Sequence, residues 1–367
     1  YLDIPEAWSR TFAKERSKHV LASLVANVLS YTFFTLALFI CFVMQFRRNN
    51  LRTGFAMAVG VVACLVNLLI EFNAFPLDIY SYDTSQSWSG YLTESLFGGV
   101  LSSLFAGLTV FFIVAPAETL YRKTFPKNLS LEASFGRGFA TKTMNRGLFL
   151  GTFAGIFFFS YEILYYFIGQ KIGFWSPAGV DYDDLFSTAL PWVYPLFVGF
   201  MAAVTEEGVF RLFGIPFLKK YLKSTWLSVF ITSVIWAALH ANYPNSPWFA
   251  RIVEISIVGM VFGYLFVRYG IVASLAAHYT FNALQTAIYF YSSGSQYAKV
   301  SATLVALVPL IVAVVYWVVS AKRRGFRPET PDMMNESVDE SVQLNKGNLP
   351  EPEKISPKPA YKPLSGA

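Results

Sequence analysis

Long apolar runs are the feature that most constrains what this chain can fold into. Of its 367 residues, 54% are hydrophobic and only 14% are charged, whereas a typical soluble domain has about 25% charged residues. The mean hydropathy is +0.45. A helix that crosses a bilayer needs roughly 20 apolar residues, and the chain contains several runs of that length. We therefore expect an integral membrane protein.

The apolar runs predict an all-α, polytopic transmembrane helix bundle with about nine spans. The candidate spans are Val20–Phe46, Gly54–Ile70, Leu96–Pro116, Gly147–Ile168, Leu190–Phe213, Trp226–Ala241, Ile252–Val267, Ile271–Tyr291 and Val300–Ser320. We divide the chain into a juxtamembrane segment, N-terminal transmembrane helices, a helical core, a last transmembrane helix and a tail. The boundaries are 1–19, 20–168, 190–291, 300–320 and 321–367.

Basic residues gather in alternate loops and indicate an orientation. The net charge is +6, and clusters such as Arg47–Arg48 and Lys322–Arg324 follow apolar runs, whereas residues 72–95 contain no lysine or arginine. The positive-inside rule places the basic loops and the C-terminus in the cytoplasm, although the basic residues of Arg10–Lys18 oppose this orientation. Because the charge is explained by topology, we predict no nucleic-acid partner.

The composition changes sharply in the tail, residues 321–367. Proline, glutamate, lysine, serine and asparagine dominate there, as in Pro350–Glu353. Such a segment buries too little apolar surface to offset the entropy that it loses on ordering. We therefore predict a disordered cytoplasmic tail.

Charged side chains inside the spans are the candidates for function, because each one costs roughly 2.5–3.5 kcal/mol at membrane depth. The fifth run contains Glu206 and Glu207, followed by Arg211. Glu207 and Arg211 are four residues apart, so they share a helix face and can form an ion pair. Glu206 points about 100° away from Glu207 and is free for another task. The competing interpretation is a cluster of charges at the membrane surface.

Two of the three histidines also lie in predicted spans. His240 follows Trp236 by four residues, and His278 precedes Asn282 by four residues. One histidine in a span is more often structural than functional, but these two accompany the carboxylates. If the fifth, sixth and eighth predicted spans are neighbours, Glu206 and His240 can activate a water molecule as general base. His278 and Asn282 can then donate hydrogen bonds to the oxyanion that forms on an amide carbonyl.

The same side chains suggest a second chemistry. Two histidines and a glutamate form a known catalytic zinc set, so Glu206, His240 and His278 are alternative zinc ligands. The zinc helix signature, with two histidines and a glutamate on one helix, does not occur in the sequence. We favour water activation with no required cofactor and keep zinc as the alternative. Glu207 and Arg211 would support Glu206 in either case.

Three motifs occur in a fixed order along the chain. They are Glu206-Glu207-x-x-x-Arg211, Trp236-x-x-x-His240 and His278-x-x-x-Asn282. This set resembles the CPBP family of CAAX proteases and bacteriocin-processing enzymes, also called Abi, which includes the type II CAAX prenyl endopeptidases. The resemblance covers 190–291, the predicted protease core, and departs at Trp236, where the family more often has phenylalanine.

The resemblance implies an intramembrane endopeptidase fold and gives roles to the residues that match. Glu206 and His240 would activate water, and His278 and Asn282 would form the oxyanion site. The supporting residues would be Glu207, Arg211 and Trp236. The expected partners are the lipid bilayer and a peptide or protein substrate, with a prenylated or lipid-anchored substrate as one form. A bacterial-type plasma membrane is the expected location, and the endoplasmic reticulum is the alternative.

Two other functions compete with the peptidase. The first is a catalytically silent protein of the same fold that acts as a scaffold or an immunity protein. The second is a proton-coupled transporter that uses Glu206 and Glu162, which would predict internal repeats that the sequence does not have. Glu162 otherwise has no assigned role. We expect Arg251 and Glu254 to be interfacial anchors.

Overall fold

The computed structural model describes residues 4–176, 188–323 and 325–344, and all regular structure in these ranges is helical. The α-helices are α1 Glu6–Arg47, α2 Thr53–Asp78, α3 Trp88–Thr124, α4 Leu131–Ser134, α5 Lys142–Gly169, α6 Val193–Glu206, α7 Ile215–Leu222, α8 Thr225–Leu239, α9 Ala250–Tyr269, α10 Ile271–Ala287, α11 Gln296–Ala306, α12 Val308–Lys322 and α13 Asn335–Leu344. A π-helix, Glu207–Gly214, joins α6 to α7. Short 3-10 turns are Ile79–Ser81, Arg137–Ala140, Gln170–Ile172, His240–Asn242, Ile288–Ser292 and Pro331–Met333. The predicted all-α membrane bundle is confirmed.

Fewer helices than the nine predicted spans meet a strict requirement of length and apolarity. Across the described ranges, six helices are long and apolar enough to cross a membrane, and the pair α11 and α12, bent by 65°, makes a seventh if it counts as one span. The six are α1, α2, α3, α5, α8 and α9. The remaining two predicted spans are also helical but are not among the six. α6 continues through the π-helix into α7, and α10 continues into the turn Ile288–Ser292.

The short helix α10 lies at the centre of the bundle and packs against α5, α6 and α9. Its contact with α5 is close because α5 presents glycines to it. A Cβ atom at Gly155 would lie 2.6 Å from the Ala277 carbonyl oxygen and 2.8 Å from the Thr280 Cβ. Backbone atoms cannot move out of the way as a flexible side chain can, so glycine at this position permits the approach of the two helices.

We expect Gly155→Ala to destabilise the bundle by about 1–3 kcal/mol, because the added methyl group forces α5 and α10 apart. Unfolding in mixed detergent, followed by circular dichroism, measures this change. Gly98→Ala in α3 is the matched control, since a Cβ there meets nothing within 4 Å. Equal stability of the two variants would contradict this account of the packing.

Part of the predicted tail is ordered, which corrects the sequence-based prediction for residues 325–344. Met333 is buried, and its carbonyl oxygen accepts a hydrogen bond from the Ser130 amide at 2.9 Å. The Asn335 side chain donates to the Phe125 carbonyl at 2.9 Å. These contacts satisfy backbone groups of the loop after α3, an interaction that a composition argument does not detect. The rest of the predicted tail, 345–367, lies outside the described residues.

A buried arginine of α3 binds this C-terminal segment, residues 325–344, through an ion pair. Arg122 is fully buried, binds Glu118 one turn earlier at 3.0 Å, and forms a second ion pair with Asp339 of α13. It also donates to the Asn50 carbonyl in the loop between α1 and α2 at 3.1 Å. One guanidinium group therefore joins three separate parts of the chain.

We expect Asp339→Ala to lower the free energy of unfolding by roughly 1–3 kcal/mol, because it removes a partner from a fully buried cation. Chemical unfolding of the purified protein measures the difference. The neighbouring Glu340 is exposed, so Glu340→Ala should leave stability nearly unchanged. Destabilisation by Glu340→Ala and not by Asp339→Ala would refute this role of the ion pair.

Candidate active site

The first site motif lies where an α-helix becomes a π-helix. α6 ends at Glu206, and the π-helix begins at Glu207 and continues to Gly214. π-helical turns are rare and occur often at functional sites. Helical spacing predicts a regular α-helix through this motif, and no signal in the sequence indicates the wider turn. The two adjacent glutamates nevertheless reach different surroundings, as the sequence predicted.

Glu207 is at the centre of a buried polar cluster. Its Oε1 accepts a hydrogen bond from Arg211 Nη1 at 2.8 Å, and both side chains are fully buried. The same oxygen lies 2.8 Å from His278 Nδ1. The predicted ion pair between Glu207 and Arg211 is therefore present, and it also contacts the third motif. A carboxylate oxygen that also accepts from a guanidinium takes the hydrogen of Nδ1, so Nδ1 is the donor.

Arg211 is enclosed by aromatic rings and by the backbone of α9. Its guanidinium carbon lies 4.3 Å from the Trp236 ring centroid and 5.6 Å from that of Phe262, within the range of cation–π attraction. Its Nη2 donates to the Gly259 carbonyl at 3.2 Å. A Cβ atom at Gly259 would lie 2.9 Å from Ser233 and 3.0 Å from Trp236, so glycine allows α8 and α9 to come this close.

Glu206 has a more open position than its neighbour. Its side chain is 31% exposed, whereas Glu207 is fully buried. The Trp236 indole N–H donates a hydrogen bond to Glu206 Oε2. The same oxygen lies 3.8 Å from His278 Nε2, close to it but beyond direct hydrogen-bond distance. Trp236 thus supplies a hydrogen-bond donor. Phenylalanine, which is more common at this position in the family that the motifs resemble, has no such donor.

His240 is the first residue of the 3-10 turn that follows α8. Its Nδ1 lies 3.0 Å from the Trp236 carbonyl, and a carbonyl oxygen can only accept, so Nδ1 carries the hydrogen. In the neutral ring Nε2 is then free to accept a proton. The His240 and Trp236 rings meet edge to face with centroids 5.4 Å apart. Trp236 therefore contacts both Glu206 and His240.

Asn282 lies one helical turn beyond His278 on α10, as the motif predicted, and it is half-buried. Among the described residues its side-chain amide makes no hydrogen bond, whereas its backbone carbonyl accepts one from the Thr286 hydroxyl at 3.2 Å. Its amide is therefore free to bind another group. The structure brings Glu206, Trp236, His240 and His278 together, and it places Asn282 on the same helix as His278.

The alternative zinc set is not preformed in this arrangement. In the ranges that the structure describes, no three histidine, cysteine, aspartate or glutamate side chains form a group suited to holding a metal ion. Glu206 Oε2 accepts from the Trp236 indole, and each histidine has its Nδ1 engaged with an oxygen, so Nε2 is the nitrogen that would bind a metal. Zinc binding by Glu206, His240 and His278 stays the alternative proposal.

A second ionic cluster lies beside the site and corrects the interpretation of Arg251 and Glu254 as interfacial anchors. Glu254 is fully buried, and its Oε2 accepts from Arg251 Nη1 at 2.7 Å. The same Nη1 pairs with Glu162 of α5, and the other Glu162 oxygen accepts from the Gln285 amide. The previously unassigned Glu162 therefore links α5 to both α9 and α10. Periodicity along one helix does not reveal such pairing between distant segments.

We expect Arg211→Met to destabilise the protein by about 3–5 kcal/mol, because it leaves Glu207 buried without its cation. Unfolding in detergent micelles measures the change. Arg268→Met, at the exposed end of α9, is the matched control and should be nearly neutral. Equal effects at the two positions would mean that the buried pair has no special role in stability.

Comparison with known proteins agrees with the motifs. Residues 188–284 match the family described as type II CAAX prenyl endopeptidase Rce1-like, and this segment includes all seven motif residues. The chain is also 25% identical over 234 residues to the sporulation-killing factor biosynthesis protein SkfC of Bacillus subtilis (strain 168), a match that covers 62% of this chain and 44% of that protein. No solved structure matches. The resemblance inferred from the motifs is thus confirmed: the helical membrane protein is similar, over residues 188–284, to the Rce1-like type II CAAX prenyl endopeptidases.

Proposed function

We propose that this protein is an intramembrane endopeptidase that cleaves a peptide bond in a membrane-associated protein or peptide. The observation that carries the proposal is the half-open carboxylate of Glu206 beside His278 and Trp236, within a bundle of apolar helices. A carboxylate inside a membrane protein costs free energy to bury. One that stays accessible in a site with two histidines indicates proton-transfer chemistry.

In the proposed mechanism Glu206 is the general base. It takes a proton from water while the water oxygen bonds to the substrate carbonyl carbon, and it later returns that proton to the amine that leaves. His240 helps to polarise the water through Nε2, because its Nδ1 is held by the Trp236 carbonyl. This division of roles uses the exposed carboxylate for chemistry and the buried one, Glu207, for support.

The developing oxyanion would be stabilised by His278 and Asn282. Asn282 has a free amide that can donate. For His278 the donor must be Nε2, since Nδ1 already faces Glu207. The His278 ring that serves the oxyanion therefore carries hydrogens on both nitrogens, and the neighbouring carboxylates of Glu206 and Glu207 balance that positive charge.

The substrate is proposed as a peptide, either bare or carrying a prenyl or other lipid anchor. The relative from Bacillus subtilis is named for the biosynthesis of a sporulation-killing factor, and a peptidase is compatible with a biosynthetic role. A bacterial-type plasma membrane is therefore the location that we favour over the endoplasmic reticulum. The chain spans less than half the length of that relative.

We expect Glu206→Gln and His240→Ala to lower peptide cleavage by roughly 10²–10⁴-fold, the usual contribution of general acid–base catalysis. The assay uses purified protein in liposomes with a quenched fluorescent peptide, offered with and without a C-terminal farnesyl cysteine. Glu71→Gln is the matched control, because Glu71 is a half-buried carboxylate of α2 that contacts Asn67 outside the site.

The outcomes separate the proposed alternatives. Full activity in both variants would refute the site, and an inactive wild type with both peptides would favour a silent scaffold or immunity protein. Loss of activity with a chelator, restored by zinc, would replace the metal-free mechanism by the zinc alternative. Preference for the farnesylated peptide would identify a prenylated substrate, whereas equal cleavage would exclude that requirement.

A further inference from the structure

The ionic cluster of Glu162, Arg251, Glu254 and Gln285 has no part in the proposed reaction, yet it is largely buried inside the helix bundle. The side chains of Arg251 and Glu254 are 8% and 0% exposed. Charged groups in such surroundings are costly and are usually retained for function. The cluster joins α5, α9 and α10, and α10 also carries His278 and Asn282.

Arg251 connects this cluster to the 3-10 turn His240–Asn242, here called the catalytic turn because it begins with His240. Its guanidinium carbon lies 5.1 Å from the ring centroid of Tyr243, within cation–π range. The Tyr243 ring in turn lies beside the His240 imidazole, with centroids 5.7 Å apart and planes inclined by 31°. A continuous series of contacts therefore runs from Glu254 through Arg251 and Tyr243 to His240.

The backbone of the catalytic turn is held separately by α1. Arg16 Nη1 donates to the Asn242 carbonyl at 2.8 Å, and His19 Nδ1 lies 3.1 Å from the Ala241 carbonyl. These contacts fix the main chain but do not touch the His240 ring. The ring has Trp236 on one side and Tyr243 on the other. Tyr243 is 49% exposed, so burial alone does not fix its ring.

We propose that Arg251 is a positioning residue of the catalytic centre: it holds the Tyr243 ring against His240 and thereby sets the orientation of the imidazole. This inference rests on the proposed peptidase function. The two carboxylates of Glu162 and Glu254 fix the guanidinium, whose flat face then supports the tyrosine ring. Small errors in the orientation of a catalytic group can lower a rate by as much as about 10²-fold.

The test compares four variants in the liposome cleavage assay. Tyr243→Ala should lower kcat roughly 10- to 100-fold with little change in KM, because it removes the support of the catalytic ring and leaves substrate binding intact. Tyr243→Phe keeps the ring and should restore most of kcat. Arg251→Lys keeps the charge but loses the flat guanidinium, and should lower kcat in the same way. Tyr264→Ala, an equally exposed tyrosine of α9 that stacks on Trp226, is the control.

The double variant Arg251→Lys/Tyr243→Ala should be no slower than the slower single variant, because both changes interrupt the same series of contacts. A second readout does not depend on turnover. Modification of His240 by diethylpyrocarbonate, followed by mass spectrometry, should be faster in Tyr243→Ala than in wild type, with the buried His19 and His278 as internal references.

The results distinguish this inference from the function on which it rests. An active wild type with unchanged kcat and unchanged His240 modification in Tyr243→Ala would overturn the positioning role alone. Additive losses in the double variant would also overturn it, because they would mean that Arg251 acts independently of Tyr243. An inactive wild type would overturn the peptidase function and this role together, and full activity of His240→Ala would show that the imidazole that Arg251 is proposed to position is not needed for cleavage.

Discussion

The buried ion pair between Glu207 and Arg211 is the interaction on which the arrangement of the core depends. Moving two charges out of water costs several kcal/mol per ion, so both must be satisfied wherever they are placed. Glu207 meets this requirement with Arg211 and His278, and Arg211 meets it with Glu207, the Gly259 carbonyl and the Trp236 ring. These partners come from α8, α9 and α10, so satisfying one pair fixes three helices around the π-helix.

The three arginines that are buried in the described ranges follow one pattern. Arg122, Arg211 and Arg251 each pair with a glutamate three or four residues away on the same helix. Each also reaches a second partner from a distant segment, which is Asp339 for Arg122, the Gly259 carbonyl for Arg211 and Glu162 for Arg251. The local pair neutralises the charge within one helix, and the second contact then specifies which segment packs against it.

The site residues lie on helices of two kinds. α8, which carries Trp236, is long and apolar enough to cross a membrane, whereas α6, the π-helix and α10, which carry the other two motifs, are not among the candidate spans of the described ranges. Because α10 is enclosed by α5, α6 and α9, its polar side chains are shielded from lipid. Adjacent glutamates then acquire different surroundings: Glu207 is fully buried in an ion pair, whereas Glu206 remains accessible.

The sequence by itself determined the helical membrane class, the i,i+4 pair of Glu207 and Arg211, and the motif residues, because apolar run length and helical spacing are local properties. It does not state which of its apolar runs cross the bilayer, and six to seven of the nine form helices of the required length and apolarity in the described ranges. Only the tertiary structure decided that Trp236 binds Glu206, that His278 contacts Glu207, and that Glu162, Arg251 and Gln285 form one cluster. The ordering of residues 325–344 was likewise decided by contacts with the loop after α3. All of these join residues far apart in the chain, and such pairings depend on how helices pack and not on the periodicity of any one of them.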